Sequence, residues 1–245
     1  MEYKIIGNVV PAVDINLKKG EKVYTQSGGM TWKTEGIEMK TDTGGGIKKV
    51  LGRVFSGEGI FVNHYEATIE GATVGFSSTM PGKIVPLQIN PNNGIYTQKG
   101  AFLCAQEGVE LSVTLTKKLS AGFFGGEGLI LQELSGTGMA FLEADGDIYE
   151  KTLAQGEVFY VNTGNLVCFD KTCDYSVEIV KGAKNLIFGN EGLFFIKLTG
   201  PGKVIIQTQN FYEFASKILS QGPSSVIHSD GDTGKTDITI PLFRK

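Results

Sequence analysis

A short string of aromatic, glycine and acidic residues occurs three times along the chain, and this recurrence limits the fold more than any other feature. Phe55-Ser56-Gly57-Glu58-Gly59 precedes Ile60, Phe124-Gly125-Gly126-Glu127-Gly128 precedes Leu129-Ile130-Leu131, and Phe188-Gly189-Asn190-Glu191-Gly192 precedes Leu193. The copies begin 69 and 64 residues apart, which predicts one unit of about 65–70 residues used three times over. The third position is Gly57, Gly126 or Asn190, the residue types that take positive φ at least cost. With an apolar run starting immediately afterwards, each string reads as a β-hairpin turn. Glu58, Glu127 and Glu191 are then solvated turn residues; the competing reading is a carboxylate ligand or catalytic group repeated three times.

At 245 residues and 41% hydrophobic the chain is long enough to bury a sizeable core in one or two domains. Its 34 glycines suit many short strands joined by tight turns better than helices. A net charge of −3 advertises no polyanion partner, and the Lys18-Lys19, Lys48-Lys49 and Lys117-Lys118 pairs each lie near acidic residues. DNA binding is therefore not expected, and RNA binding has no support from charge. Cys104, Cys168 and Cys173 are an odd number without CxxC spacing, which argues for a reducing compartment and against a disulfide framework. Met1-Glu2-Tyr3-Lys4 leads directly into a strand pattern, with no apolar targeting segment and no run long enough to span a membrane. A cytoplasmic location is the expectation.

The unit extends beyond the glycine string. Val9-Val10-Pro11-Ala12-Val13 is matched with Ile84-Val85-Pro86-Leu87-Gln88 and with a weaker copy around Ile148-Tyr149, each leading to a turn at Lys19-Gly20, Asn93-Gly94 or Gln155-Gly156. Val23-Tyr24-Thr25-Gln26 is matched with Ile95-Tyr96-Thr97-Gln98 and, at poorer identity, with Val167-Cys168-Phe169-Asp170. Glu35-Gly36-Ile37-Glu38-Met39 mirrors Glu107-Gly108-Val109-Glu110-Leu111. The boundaries this predicts are 3–80, 81–145 and 146–210. Val109, Leu111 and Val113 alternate with Glu110, Ser112 and Thr114, as in a half-buried strand. The apolar runs after each glycine string (Ile60-Phe61-Val62, Leu129-Ile130-Leu131, Leu193 to Ile196) predict strands buried on both faces, against a neighbouring unit or subunit.

From residue 211 to 245 the pattern changes to a helix and a polar tail. Phe211, Phe214, Ala215, Ile218 and Leu219 share one helical face, Asn210 caps it with Glu213 three residues on, and Gly222-Pro223 stops it. A last hairpin is expected between Val226-Ile227-His228 and Asp237-Ile238-Thr239-Ile240 across Asp230-Gly231-Asp232-Thr233-Gly234.

No catalytic, cofactor-binding or metal-ligating residue is expected. A barrel metalloenzyme needs several His and a carboxylate on one ion, and this chain has only His64 and His228. His64 falls in a column with Glu133 and Lys197, which reads as a solvated strand face, and His228 reads as a surface residue. Asp230-Gly231-Asp232 lacks the remaining ligands of a calcium loop. Cys104 sits in an apolar run, while Cys168 and Cys173 have no neighbouring His to activate them. Gly200-Pro201-Gly202-Lys203 and Leu134-Ser135-Gly136-Thr137-Gly138 precede strands where a phosphate loop precedes a helix; they read as hairpin turns.

Taken in order, Gly28-Gly29-Met30, Met80-Pro81-Gly82, Gly100-Ala101-Phe102-Leu103, the Phe124–Gly128 string, Leu134–Gly138 and Leu198-Thr199-Gly200-Pro201-Gly202 resemble the mitochondrial-biogenesis family known as altered inheritance of mitochondria, number twenty-four. The resemblance covers about residues 3–210. It implies an all-β chain of three tandem β-sandwich repeats of the kind in the tryptophan RNA-binding attenuation protein (TRAP), set around a pseudo-threefold and commonly assembled as a ring-like trimer. It supplies no catalytic residues, and the tryptophan- and RNA-binding residues of TRAP are not recognisable here. The expected function is a non-enzymatic, self-associating scaffold or binding protein without a cofactor. The alternative is a small-ligand or RNA-binding module using clefts between repeats or subunits.

Overall fold

A computed structural model describes residues 1–26, 29–42, 62–115, 130–179, 194–221, 227–228 and 237–238. The chain divides into Met1–Gln209 and Asn210–Lys245. In the first part, β1 (Glu2–Ile6) is followed by strands that fall into successive sets of six. The first set is β2 (Ala12–Leu17), β3 (Lys22–Gln26), β4 (Met30–Lys33), β5 (Ile37–Asp42), β6 (Val62–Ala67) and β7 (Ala72–Ser77). The second is β8 (Gly82–Ile89), β9 (Ile95–Gln98), β10 (Phe102–Gln106), β11 (Val109–Leu115), β12 (Ile130–Gly136) and β13 (Gly138–Asp145). The third is β14 (Ile148–Leu153), β15 (Val158–Asn162), β16 (Leu166–Asp170), β17 (Asp174–Ile179), β18 (Phe194–Thr199) and β19 (Gly202–Gln207).

Four sheets carry these strands, in the orders β1-β2-β7-β4, β5-β6-β3-β10-β13-β8, β11-β12-β9-β16-β19-β14 and β15-β18-β17. Adding six to each strand number of the second sheet gives the third sheet in the same order. The pairings β2·β7, β4·β7, β3·β6 and β5·β6 recur in the next two sets, all antiparallel. Even the irregularity recurs. A register shift falls between Met30 and Trp32, between Phe102 and Cys104, and between Leu166 and Cys168, a bulge at one place in each set. Between sets, β3 pairs β10 and β9 pairs β16, so each six-stranded sheet is half one set and half the next.

A core fills each gap between successive sheets. Val13, Ile15, Val74 and Phe76 of the first sheet meet Val23, Tyr65, Cys104 and Phe141 of the second. The other face of the second sheet, with Tyr24, Phe102, Ala140 and Leu142, meets Ile95, Leu134, Val167 and Ile205 of the third. The far face of the third sheet, with Leu131, Phe169 and Val204, meets Val161, Ile196 and Leu198 of the fourth. This accounts for the unbroken apolar runs of β10 and β16. In β10, Phe102 and Ala105 face one core and Leu103 and Cys104 the other; in β16, Val167 and Cys168 face one while Leu166 and Phe169 face the other. The alternation expected of β11 holds over its first half, with Val109 and Leu111 buried and Glu110 exposed, and ends at Val113, which is exposed. Leu131 is buried as expected after the second glycine string, but its neighbour Gln132, on the opposite face, is a buried polar residue.

Pairing register corrects three expectations. Tyr24 lies opposite His64, Tyr96 opposite Glu133 and Tyr160 opposite Lys197. The third counterpart of Val23–Gln26 is therefore in β15, not Val167–Asp170, which belongs with β4 and β10. In the entry strands Val13 faces Phe76 and Val85 faces Leu142; Val13 thus corresponds to Val85, and matching Pro11 to Pro86 displaces the strands by three residues. Lastly, Gly136-Thr137-Gly138 and Gly200-Pro201-Gly202 do not close hairpins, since β12 and β13, like β18 and β19, lie in different sheets. They turn the chain from one sheet to the next. Gly138 and Gly202 have φ of 146° and 154°, a region that suits glycine, and a Cβ on Gly202 would lie 2.6 Å from Cys173 Sγ.

The three glycine strings lie outside the described residues. The strands before and after them are paired in each case, β5 with β6, β11 with β12 and β17 with β18.

In the second part, Asn210 Oδ1 accepts from the backbone N–H groups of Tyr212 and Glu213, and its Nδ2 donates to Glu213 Oε1. That caps α1 (Phe211–Gln221) as the sequence predicts. Phe211, Phe214, Ile218 and Leu219 are all exposed. β20 (Ile227–His228) and β21 (Asp237–Ile238) pair antiparallel, with His228 opposite Asp237; the Asp230–Gly234 turn lies outside the described residues.

Candidate interaction site

The junctions between sets are built by one repeated pair of side chains. Thr25 and Thr97 are both buried, and their hydroxyls donate to the carbonyls of Leu103 and Val167 in the following set. Beside them, Tyr24 stacks on Phe102 at 5.6 Å and donates its hydroxyl to Val109 O at 2.9 Å. Burial holds that phenol well above its ordinary pKa, with Cys104 and Glu110 adding to the shift. Tyr96 packs against Phe169 and Tyr175 at 5.5 and 5.7 Å, with the Lys171 ammonium over its ring. Each tyrosine therefore lies between its own set and the next.

At β15 the same construction stops. Tyr160 is 51% exposed and Val158 43%, and Val161 stands where Thr25 and Thr97 carry hydroxyls. Among the described residues β15 bonds only to β18, leaving one edge of backbone groups free. Lys197, Phe195 and Ser176, all half-buried, complete this face. The other end of the series differs. There β4 bonds only to β7 among the described residues, and Thr31, Trp32 and Gly75 replace the buried Leu103, Cys104 and Phe141. Trp32 covers Gly75 and donates Nε1–H to Asp14 Oδ1 at 3.0 Å. Both ends are thus open edges among the described residues, the β4 end dressed with polar groups and an indole and the β15 end with an exposed tyrosine and valine.

His64 is half-buried with its ring 5.8 Å from that of Tyr24, and Glu133 pairs with Lys171. The His64, Glu133 and Lys197 column therefore borders the tyrosines and is not a freely solvated face. Among the described residues no group of three or more His, Cys, Asp or Glu is placed to hold a metal ion. The three cysteines are free and buried. Burial raises all three thiol pKa values, to about 12 for Cys168 and about 11 for Cys173. Thiol reagents at pH 8 are expected to leave the folded chain unmodified and to label three sites once urea unfolds it. The unfolded chain loses these protons first, because its thiols titrate near pH 9. Stability is therefore fully present below that pH and falls as pH rises toward the folded-state values, by about 1.4 kcal/mol per pH unit for a thiol as deeply buried as Cys104 or Cys168 and by less for Cys173; urea titrations from pH 8 to 11 measure the slope.

The tyrosine column had a signal in the sequence. Tyr24, Tyr96 and Tyr160 are 72 and 64 residues apart, close to the spacing of the glycine strings. The free edge had none, since it follows from pairings between distant strands.

The family model for mitochondrial biogenesis AIM24 matches residues 3–209. The chain belongs to this family. An uncharacterised protein of Streptococcus pyogenes serotype M6 is 26% identical over 223 residues, 88% of each chain. The crystal structure of the S. pyogenes protein SPYM3_0169 superposes with a TM-score of 0.72 at 24% identity, covering 89% of this AIM24-family chain and 98% of that one; that likeness is one of fold. Among the described residues no helix is long and apolar enough to cross a membrane.

Proposed function

We propose that this AIM24-family chain is a non-enzymatic, self-associating scaffold or binding protein, a trimer in its working form. We take its units to be TRAP-like β-sandwiches over residues 3–80, 81–145 and 146–210, set around a pseudo-threefold. The observation that carries this reading is the β15 end, where Tyr160 is exposed at the position that the two preceding sets cover with a further strand. Repeat arrays need finished ends to stay apart, and among the described residues both β4 and β15 are edge strands bonded on one side only. Three buried free thiols suit a reducing interior, and we place the protein in the cytoplasm. Light scattering at micromolar concentration tests the reading. The expected mass is about three times the 26.4 kDa of one chain; a monomer at that concentration overturns it.

A further inference from the structure

We propose that the free edge of β15 is completed by β4 of a second copy of this chain, antiparallel, with Tyr160 opposite Lys33. The proposal rests on the self-association argued above and names the surfaces that carry it. The chain makes this kind of junction twice. In β3·β10 Tyr24 lies opposite Ala105 and Val23 opposite Gln106; in β9·β16 Tyr96 lies opposite Phe169 and Ile95 opposite Asp170. Ala105 and Phe169 each follow a cysteine that pairs across the bulge, Cys104 with Phe141 and Cys168 with Ile205. Lys33 follows Trp32, which pairs with Gly75 in the same way. Lys33 is therefore the third member of the Ala105 and Phe169 column, as Tyr160 is the third of the Tyr24 and Tyr96 column.

A series of sets joined head to tail leaves half a junction at each end. Here the halves are β15 and β4, and among the described residues they do not pair with each other. A second copy offers a strand already shaped and bulged to fit. The side chains agree. Tyr160 and Lys33 are both exposed, as directly opposed residues on one face must be before a partner arrives. Tyr24 donates its hydroxyl to Val109 O across the first junction; the matching carbonyl in the first set is that of Ile37, now held by Lys33 Nζ at 2.8 Å. On docking, the Tyr160 hydroxyl replaces that ammonium. Val161 brings no hydroxyl to repeat the Thr25 bond, so the junction between copies is weaker than those inside the chain. Each copy gives one edge and accepts another, a heterologous contact that closes into a ring.

Directly opposed residues on antiparallel strands have Cα atoms about 4.5–5.5 Å apart, within disulfide range. The test uses the full chain carrying Tyr160→Cys and Lys33→Cys, oxidised mildly, beside each single variant and an equimolar mixture of the two singles. The expected result is covalent oligomers from the double variant, covalent dimers from the mixture, and none from either single variant alone. A disulfide closed within one chain, read as a monomer of faster mobility on a non-reducing gel, overturns the proposal. So does linkage of Tyr160→Cys to itself. Absence of any link while light scattering finds the unmodified chain oligomeric also overturns it and leaves self-association standing on another surface. A monomeric unmodified chain removes both.

Discussion

Replacing Phe141 with alanine is expected to lower the stability of the sheet series by about 3–5 kcal/mol, the range for truncating a fully buried phenylalanine. Phe141 is 0% exposed and belongs to the core between the first and second sheets. Its ring meets Tyr3 edge to face at 4.9 Å, and its backbone pairs with both Cys104 and Pro86. The loss removes the ring's transfer free energy and leaves a cavity bounded by two sheets and β1. Since a whole domain is stable by about 5–15 kcal/mol, urea unfolding should show a large fall in midpoint. A change below 1 kcal/mol would mean that the first sheet does not cover this side of the second.

Gly75→Ile is the second large effect, and its value lies in the rescue. A Cβ at Gly75 would stand 2.0 Å from the Trp32 ring, so the substitution expels the indole and breaks its bond to Asp14, costing about 3 kcal/mol by overpacking. At the same place the second set pairs Phe141 with Cys104 and the third Ile205 with Cys168. The three sets fill one site in two ways, a large residue on the bulged strand or a large residue on its partner. Trp32→Cys in the Gly75→Ile background recreates the third set's arrangement and should recover a substantial part of the loss. A double-mutant cycle measures the coupling directly. Additive effects would show that the recurring register has no counterpart in packing.

The all-β character and the capped helix at Asn210 are local signals, written in short apolar runs between turns and in a side-chain cap. The third tyrosine is not legible from its neighbours for a physical reason. In Val23-Tyr24-Thr25-Gln26 and Ile95-Tyr96-Thr97-Gln98 the threonine hydroxyl meets a carbonyl of the next set; among the described residues Phe159-Tyr160-Val161-Asn162 has no following set to meet, and valine stands in the threonine position. Pro11 and Pro86 suggested an alignment that strand pairing displaces, since neither proline is fixed by the sandwich pattern. Gly136-Thr137-Gly138 carries the turn signature of a hairpin, yet the same positive-φ glycines serve a corner between sheets. Which edges stay open depends on pairings such as Tyr24 with Ala105, 81 residues apart, and no local pattern announces it.

Amide hydrogen exchange along β15 tests the central claim, that the chain's own strand pattern continues into a second copy. A free edge exchanges quickly at every second amide, because those N–H groups face water. If β4 of another copy completes the sheet, the amides of Val158–Asn162 that do not bond to β18 are protected at micromolar concentration and lose protection on dilution, together with those of Met30–Lys33. Rapid exchange at these amides, unchanged by concentration, would contradict the account.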